Sequence, residues 1–122
     1  MNALLIDDSS TMRSILKTIL RMIKNFKFNF FEASEGSNAL KIISDNNIEI
    51  IFCDVNMPGM NGIELLKAIR TNEQTLSIPF VFITSKGRES LENQIKDYSI
   101  DGIVSKPFVP EDIKQSLERI LQ

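Results

Sequence analysis

The feature that most constrains this chain is an alternation. Short apolar runs occur at "ALLID" (3–7), "FNFFEA" (28–33), "IEIIFCD" (48–54), "PFVFITS" (79–85) and "DGIVS" (101–105), and segments with helical spacing separate them. Each run has strand length, and the third and fourth are nearly continuously apolar, as strands covered on both faces must be. The clearest helical segment carries Met12, Ile15, Leu16, Ile19, Leu20 and Ile23 at intervals of three and four, with Ser9 or Ser10 placed to cap it. A second helix is expected over about 36–46 (Ala39, Leu40, Ile43), and a third follows Gly62 (Leu65, Leu66, Ile69). A fourth, over about 87–98, shows only the thin stripe Leu91, Ile95 and Tyr98. The last carries Ile113, Leu117, Ile120 and Leu121 behind Pro110, which a first helical turn tolerates. Five strand–helix repeats predict an α/β fold with right-handed crossovers and a parallel sheet covered by helices on both faces.

At 122 residues the chain is expected to form one domain, long enough to fold without metal or disulfide staples. A net charge of −2 argues against a mainly electrostatic partner, so neither nucleic acid nor an anionic membrane is expected to bind directly. The single cysteine, Cys53, excludes an intrachain disulfide and fits a reducing compartment. Inside an apolar run it reads as a small buried hydrophobe rather than a redox group. The start "MNALLIDDSS" lacks the basic region and longer apolar segment of a signal peptide, and no stretch has membrane-spanning length. The expected location is cytoplasmic. Histidine is absent, which removes imidazole bases, Ser-His-Asp systems and His-ligated zinc together. Chemistry here must run on carboxylates, hydroxyls, amines or a hard metal.

In sheets of this class ligands bind beyond the carboxyl ends of the strands. The first run ends in Asp7-Asp8, the third in Asp54, the fourth in Thr84-Ser85, and the fifth leads to Lys106-Pro107. If the first and third strands are neighbours, three carboxylates crowd one edge and repel unless something cationic joins them. Lys106 and a divalent ion are both candidates, and an oxygen-only donor set suits Mg²⁺. A carboxylate so placed can act as a nucleophile toward phosphorus, a transfer that depends on charge neutralisation more than on acid–base groups.

The ordered set "DD", "DVNMPGMNG", "TS" and "KPF" at the ends of successive runs resembles the response-regulator receiver domain of the stand-alone chemotaxis type, over essentially the whole length. That resemblance implies a sheet of order 2-1-3-4-5 and a single receiver domain over 1–122 without an output domain. It implies Asp54 as phosphoacceptor, Mg²⁺ held by Asp7, Asp8, Asp54 and the backbone carbonyl of Asn56, and Thr84 and Lys106 as phosphoryl partners. A cis peptide at Lys106–Pro107 is also implied, and the side chains of Asn56 and Lys86 fall where the family tunes phosphoryl lifetime. The phosphodonor would be a sensor histidine kinase or a histidine phosphotransfer protein. The readout would be binding to a downstream protein, with a flagellar motor switch the family's usual target. Three residues before the lysine the family usually carries a mobile aromatic; Ile103 has no ring to exchange, so output is expected to use backbone shifts around the fourth helix and fifth strand.

Plainer readings exist for each residue. Asp7 and Asp8 fit a helix N-terminus, Asp54 a turn, Thr84 a strand and Lys106 the surface; only their combination favours a site. Arg13, Lys17, Arg21 and Lys24 share one helix face, read either as solvated or as a docking surface for an acidic phosphodonor. Two further classes compete. A haloacid-dehalogenase-like phosphatase would carry D-x-D after its first strand and a cap insertion, and a flavodoxin-like FMN binder would not place two carboxylates against a phosphate. A receiver excised from, or relaying phosphate to, a larger regulator would look much the same.

Overall fold

Every expected element forms. The computed structural model describes residues 1–121, in the order β1 (Asn2–Ile6), α1 (Ser10–Met22), β2 (Asn29–Ala33), α2 (Gly36–Asp45), β3 (Ile50–Cys53), α3 (Gly62–Arg70), β4 (Phe80–Thr84), α4 (Arg88–Gln94), β5 (Gly102–Ser105) and α5 (Pro110–Ile120). All five strands are parallel, in the order β2-β1-β3-β4-β5. Strand order therefore reverses at β1, and the crevice between β1 and β3 is the switch point at which such sheets bind ligands. Register pairs Ile6 with Cys53, which leaves Asp7 and Asp54 side by side one residue beyond.

Alternation along the central strands divides the core in two. Leu4, Ile6, Ile51, Cys53, Phe80 and Phe82 face α2, α3 and α4, where they meet Ala39, Ile43, Ile63, Leu66, Leu91 and Ile95. Ala3, Leu5, Ile50, Phe52, Val81 and Ile83 face α1 and α5, packing on Leu16, Ile19, Leu20, Ile113 and Leu117. Full burial of each large side chain contributes about 1.5–3 kcal/mol, so the two layers supply most of the drive to fold.

Local signals set the helix ends. Ser9, not Ser10, caps α1, its hydroxyl accepting from the Met12 amide at 3.1 Å. Asn61 and Glu64 exchange side-chain-to-backbone bonds at the start of α3, which fixes the chain as it leaves the loop after β3. Two expectations shift. Ile15, assigned to the apolar stripe of α1, is 42% exposed because it lies at the margin of the face that α1 turns to the sheet. α4 ends at Gln94 rather than near 98; its Gly87 cap offers no side chain, and Ile95 and Tyr98 reach the core from the cap and the following turn.

Arg70, at the end of α3, closes the far end of the sheet. Its side chain is 6% exposed and donates to the carbonyls of Leu76 (2.9 Å), Ile78 (2.7 Å) and Ser99 (3.0 Å) and to the Asp101 carboxylate (3.2 Å). Asp101 in turn accepts the Phe80 amide at 2.8 Å, at the first residue of β4. Burial presses the Arg70 pKa down while Asp101 opposes it. One side chain thus joins the segment after α3, the start of β4 and the segment before β5. Truncation as Arg70→Ala orphans several acceptors at once and is expected to lower unfolding free energy by about 2–4 kcal/mol, read as a lower urea midpoint. Arg70→Lys should recover little, since an ammonium cannot span four acceptors; a wild-type midpoint in either variant would contradict the role.

Candidate functional site

The sheet's ladder continues just past the strand ends and sets the backbone of each site residue. The Asp7 amide donates to Ala33 O (3.1 Å), the Asp54 amide to Ile6 O (2.9 Å) and the Lys106 amide to Thr84 O (2.9 Å). Asp7 is almost fully buried, Asp54 half-buried and Asp8 exposed. One oxygen of Asp7 accepts the Ser9 amide at 2.9 Å, and one oxygen of Asp54 accepts the Val55 amide at 2.7 Å. The other oxygen of each meets the same ammonium: Lys106 Nζ lies 3.1 Å from Asp7 Oδ2 and 3.3 Å from Asp54 Oδ2. Carboxylate oxygens of Asp7, Asp8 and Asp54 all lie within 4.8 Å of one another.

Three like charges this close repel strongly in a half-buried rim. Lys106 answers part of that repulsion. Burial works to lower its pKa, but the hydrogen bond to Asp7 and the charges of Asp54 and Asp7 outweigh it, and the ammonium is held above its ordinary range. The donors are all hard oxygens, from one buried, one half-buried and one exposed carboxylate, which suits a small divalent cation that keeps several of its waters. No imidazole or thiolate competes: Cys53 is buried, and burial first, then Asp54 and Asp7, push its thiol pKa well up, so it stays protonated as a core side chain.

The remaining residues surround this cluster. Thr84 ends β4, fully buried, its hydroxyl accepting the Lys86 amide at 3.1 Å while retaining a proton to donate. Asn56 lies exposed in the loop after Asp54. The Lys106–Pro107 bond is cis, as the resemblance implied. Ile103 is buried among the α3 and α4 side chains, and its carbonyl accepts from the Arg88 guanidinium at 2.6 Å, which ties α4 to β5. Gly62, which marks the start of the third helix in the sequence, has a packing role that the sequence pattern does not show. Its amide donates to Val55 O at 2.9 Å, and a Cβ there would lie 2.3 Å from Asp54 O, so only glycine lets α3 start this close beneath the loop that follows Asp54. The basic face of α1 is not wholly solvated: Arg13 and Lys17 both reach Glu32 on β2, each at 2.9 Å.

Lys106 should stabilise the metal-free fold. Its folded-state pKa is raised above the ordinary 10.5, so its contribution is fully present below that value and is lost as pH rises through the raised one. Lys106→Met in metal-free buffer is expected to be less stable than wild type by about 1–3 kcal/mol at neutral pH, with the gap closing only in strongly alkaline solution. Equal urea midpoints at neutral pH would contradict this.

Sequence and structure comparisons agree with the geometry. The profile of the response regulator receiver domain matches residues 3–118. Chemotaxis protein CheY of Pseudomonas aeruginosa is 35% identical over 122 residues, covering all of this chain and 97% of that protein. CheY1 of Helicobacter pylori is 33% identical, covering 99% and 97%. The crystal structure of chemotaxis protein CheY4 of Vibrio cholerae superposes with a TM-score of 0.87 at 29% identity, over 98% of each chain. The chain belongs to the response regulator receiver domain family and is a phosphorylation-activated signalling switch rather than a metabolic enzyme.

Proposed function

We propose that Asp54 is the phosphoacceptor, and that Asp7, Asp8, Asp54 and the backbone carbonyl of Asn56 hold Mg²⁺ beside it. The observation that supports this reading is the shared grip of Lys106 on Asp7 and Asp54, with a carboxylate oxygen of Asp8 within 4.8 Å of theirs. Between those two, Asp54 is the one a partner can reach: its side chain is 12% exposed against 4% for Asp7.

A carboxylate oxygen of Asp54 attacks the phosphorus of a phosphohistidine; the P–O bond forms as the P–N bond breaks, the bond's electron pair stays on that nitrogen, and the ring leaves as neutral imidazole because its other nitrogen already carries a proton. When bound, Mg²⁺ neutralises and orients the phosphoryl oxygens. Lys106 then turns its ammonium from the carboxylates to a phosphoryl oxygen, and the Thr84 hydroxyl donates to another. None of these roles asks for histidine in this chain. The same groups would assist hydrolysis of the acyl phosphate, which resets the switch without turnover of an external substrate.

The donor is a sensor histidine kinase or a histidine phosphotransfer protein. The new charge alters the face formed by α4, β5 and α5, where the Arg88–Ile103 tie supports a readout through backbone rather than through a swinging ring. We take residues 1–122 as one receiver domain that signals by binding; the near-complete coverage of the chemotaxis relatives supports a chemotaxis role, for which a flagellar motor switch is the target we propose. No helix among the described residues is long and apolar enough to cross a membrane; we place the protein in the cytoplasm, without direct membrane or nucleic-acid contact.

Incubation with acetyl phosphate and Mg²⁺, followed by intact mass, is expected to show one added phosphoryl group, absent with EDTA and absent in Asp54→Asn. An unmodified wild-type protein, or a modified Asp54→Asn, would overturn the assignment. Sustained turnover of a phosphate monoester would favour the phosphatase reading instead.

A further inference from the structure

The four basic residues along α1 do not behave alike. Arg21 lays its guanidinium over the Phe30 ring, 5.3 Å from the centroid, and Lys17 Nζ takes Glu32 Oε2 at 2.9 Å. Both contacts fasten α1 to β2, and neither touches the carboxylate cluster. Arg13 does more. Its Nε donates to Glu32 Oε1 at 2.9 Å, while Nη1 of the same guanidinium donates to the backbone carbonyl of Asp7. Its side chain is only 17% exposed. Glu32 is held ionised between its two partners: the hydrogen bond from Lys17 lowers its pKa more than burial raises it, and Arg13 adds to the lowering.

The carbonyl that Arg13 holds is a decisive one. The ladder between β1 and β2 ends with the Asp7 amide on Ala33 O, and the next group along the chain, Asp7 C=O, is taken by the guanidinium rather than by a strand. That carbonyl lies in the peptide plane shared by Asp7 and Asp8, and the plane is rigid. Its tilt is coupled to ψ of Asp7 and φ of Asp8, so holding it restrains the directions in which both side chains leave the backbone. Released, the plane could rock about its flanking dihedrals, and oxygens gathered within 4.8 Å would lose their common focus.

We propose that Arg13 is a positioning residue for the carboxylate cluster: by anchoring the Asp7–Asp8 peptide plane to Glu32, it sets how tightly the cluster binds a divalent cation. The inference rests on the reading that the cluster holds Mg²⁺. A planar fork reaches the carbonyl with Nη1 and the carboxylate with Nε, from two separate edges, whereas an ammonium would have to reach both from one point. The basic face of α1 therefore begins as internal scaffolding for the site, and an acidic partner docking on Arg13 and Lys17 would have to break it.

Mg²⁺ titration of the full chain by calorimetry tests this, with unfolding curves run on the same samples. Arg13→Ala and Arg13→Lys are each expected to weaken Mg²⁺ binding roughly tenfold, the scale of losing a hydrogen bond that orients a metal ligand. Lys17→Ala removes the other bond to Glu32 without touching Asp7; it should lose some stability, less than Arg13→Ala, and keep the wild-type Mg²⁺ affinity. Arg13→Lys retains the charge, and provides the answer if Arg13→Ala does not fold. Wild-type or tighter Mg²⁺ binding in the folded Arg13 variants would overturn the proposal, tighter binding meaning that Arg13 is merely a competing charge. Equal weakening by Lys17→Ala would also overturn it, assigning the effect to the α1–β2 contact as a whole. A wild-type chain that takes up no Mg²⁺ would overturn the metal reading itself.

Discussion

Lys106 reaches across the sheet edge to Asp7, ninety-nine residues earlier in the chain, and to Asp54, fifty-two residues earlier. Those two bonds balance a local excess of negative charge that the rest of the fold creates. Parallel strands β1 and β3 lie together in the middle of the sheet, in a register that aligns Ile6 with Cys53, so the next residues must crowd. An apolar core on both faces holds the strands there, and ladder bonds at Asp7, Asp54 and Lys106 carry that order into the loops. The crowding is thus imposed by hydrophobic packing and relieved by electrostatics. A small cation is the natural complement of the charge that remains.

Support for the rim comes from beneath and from the side. Gly62 lets α3 begin against the Asp54 carbonyl, the Asn61–Glu64 capping box fixes that start, and Arg13 holds the peptide plane after β1. At the opposite end of the strands Arg70 and Asp101 draw two connecting segments and the start of β4 onto α3. The two ends share a logic. Where strands stop and loops begin, arginine forks and backbone amides satisfy the carbonyls and carboxylates that a ladder no longer serves.

Periodicity made the elements legible. Continuous apolar runs located β3 and β4, and three–four spacing located α1, α3 and α5, each within about two residues, the usual scatter of element ends. Where the apolar signal was thin, as in α4, length was overestimated: Ile95 and Tyr98 pack on the core from outside the helix, and burial alone does not report backbone conformation. The strand–helix alternation gives parallel strands but no strand order, so the adjacency of β1 and β3 came from family resemblance. Candidate site residues were readable because they sit at run ends beside an ordered set of motifs. Arg13, Gly62 and Arg70 were not, since a long-range hydrogen bond or a missing Cβ leaves no periodic trace. Arg13 in particular looks identical in sequence to Lys17, and only the path of its guanidinium separates them.

With only Lys106 set against three carboxylates, the rim keeps a net negative charge shaped for a small divalent cation. Thermal unfolding of the wild-type chain, begun in metal-free buffer and repeated with rising Mg²⁺ at constant ionic strength, tests it most directly. A ligand that binds only the folded state raises the midpoint continuously with concentration, by about 2.7 kcal/mol of stability at one hundred times its dissociation constant. The midpoint is expected to rise in this way for the wild-type chain, and the rise to vanish when Asp7 and Asp8 are replaced by asparagine. A midpoint indifferent to Mg²⁺, or a rise that survives those replacements, would contradict this.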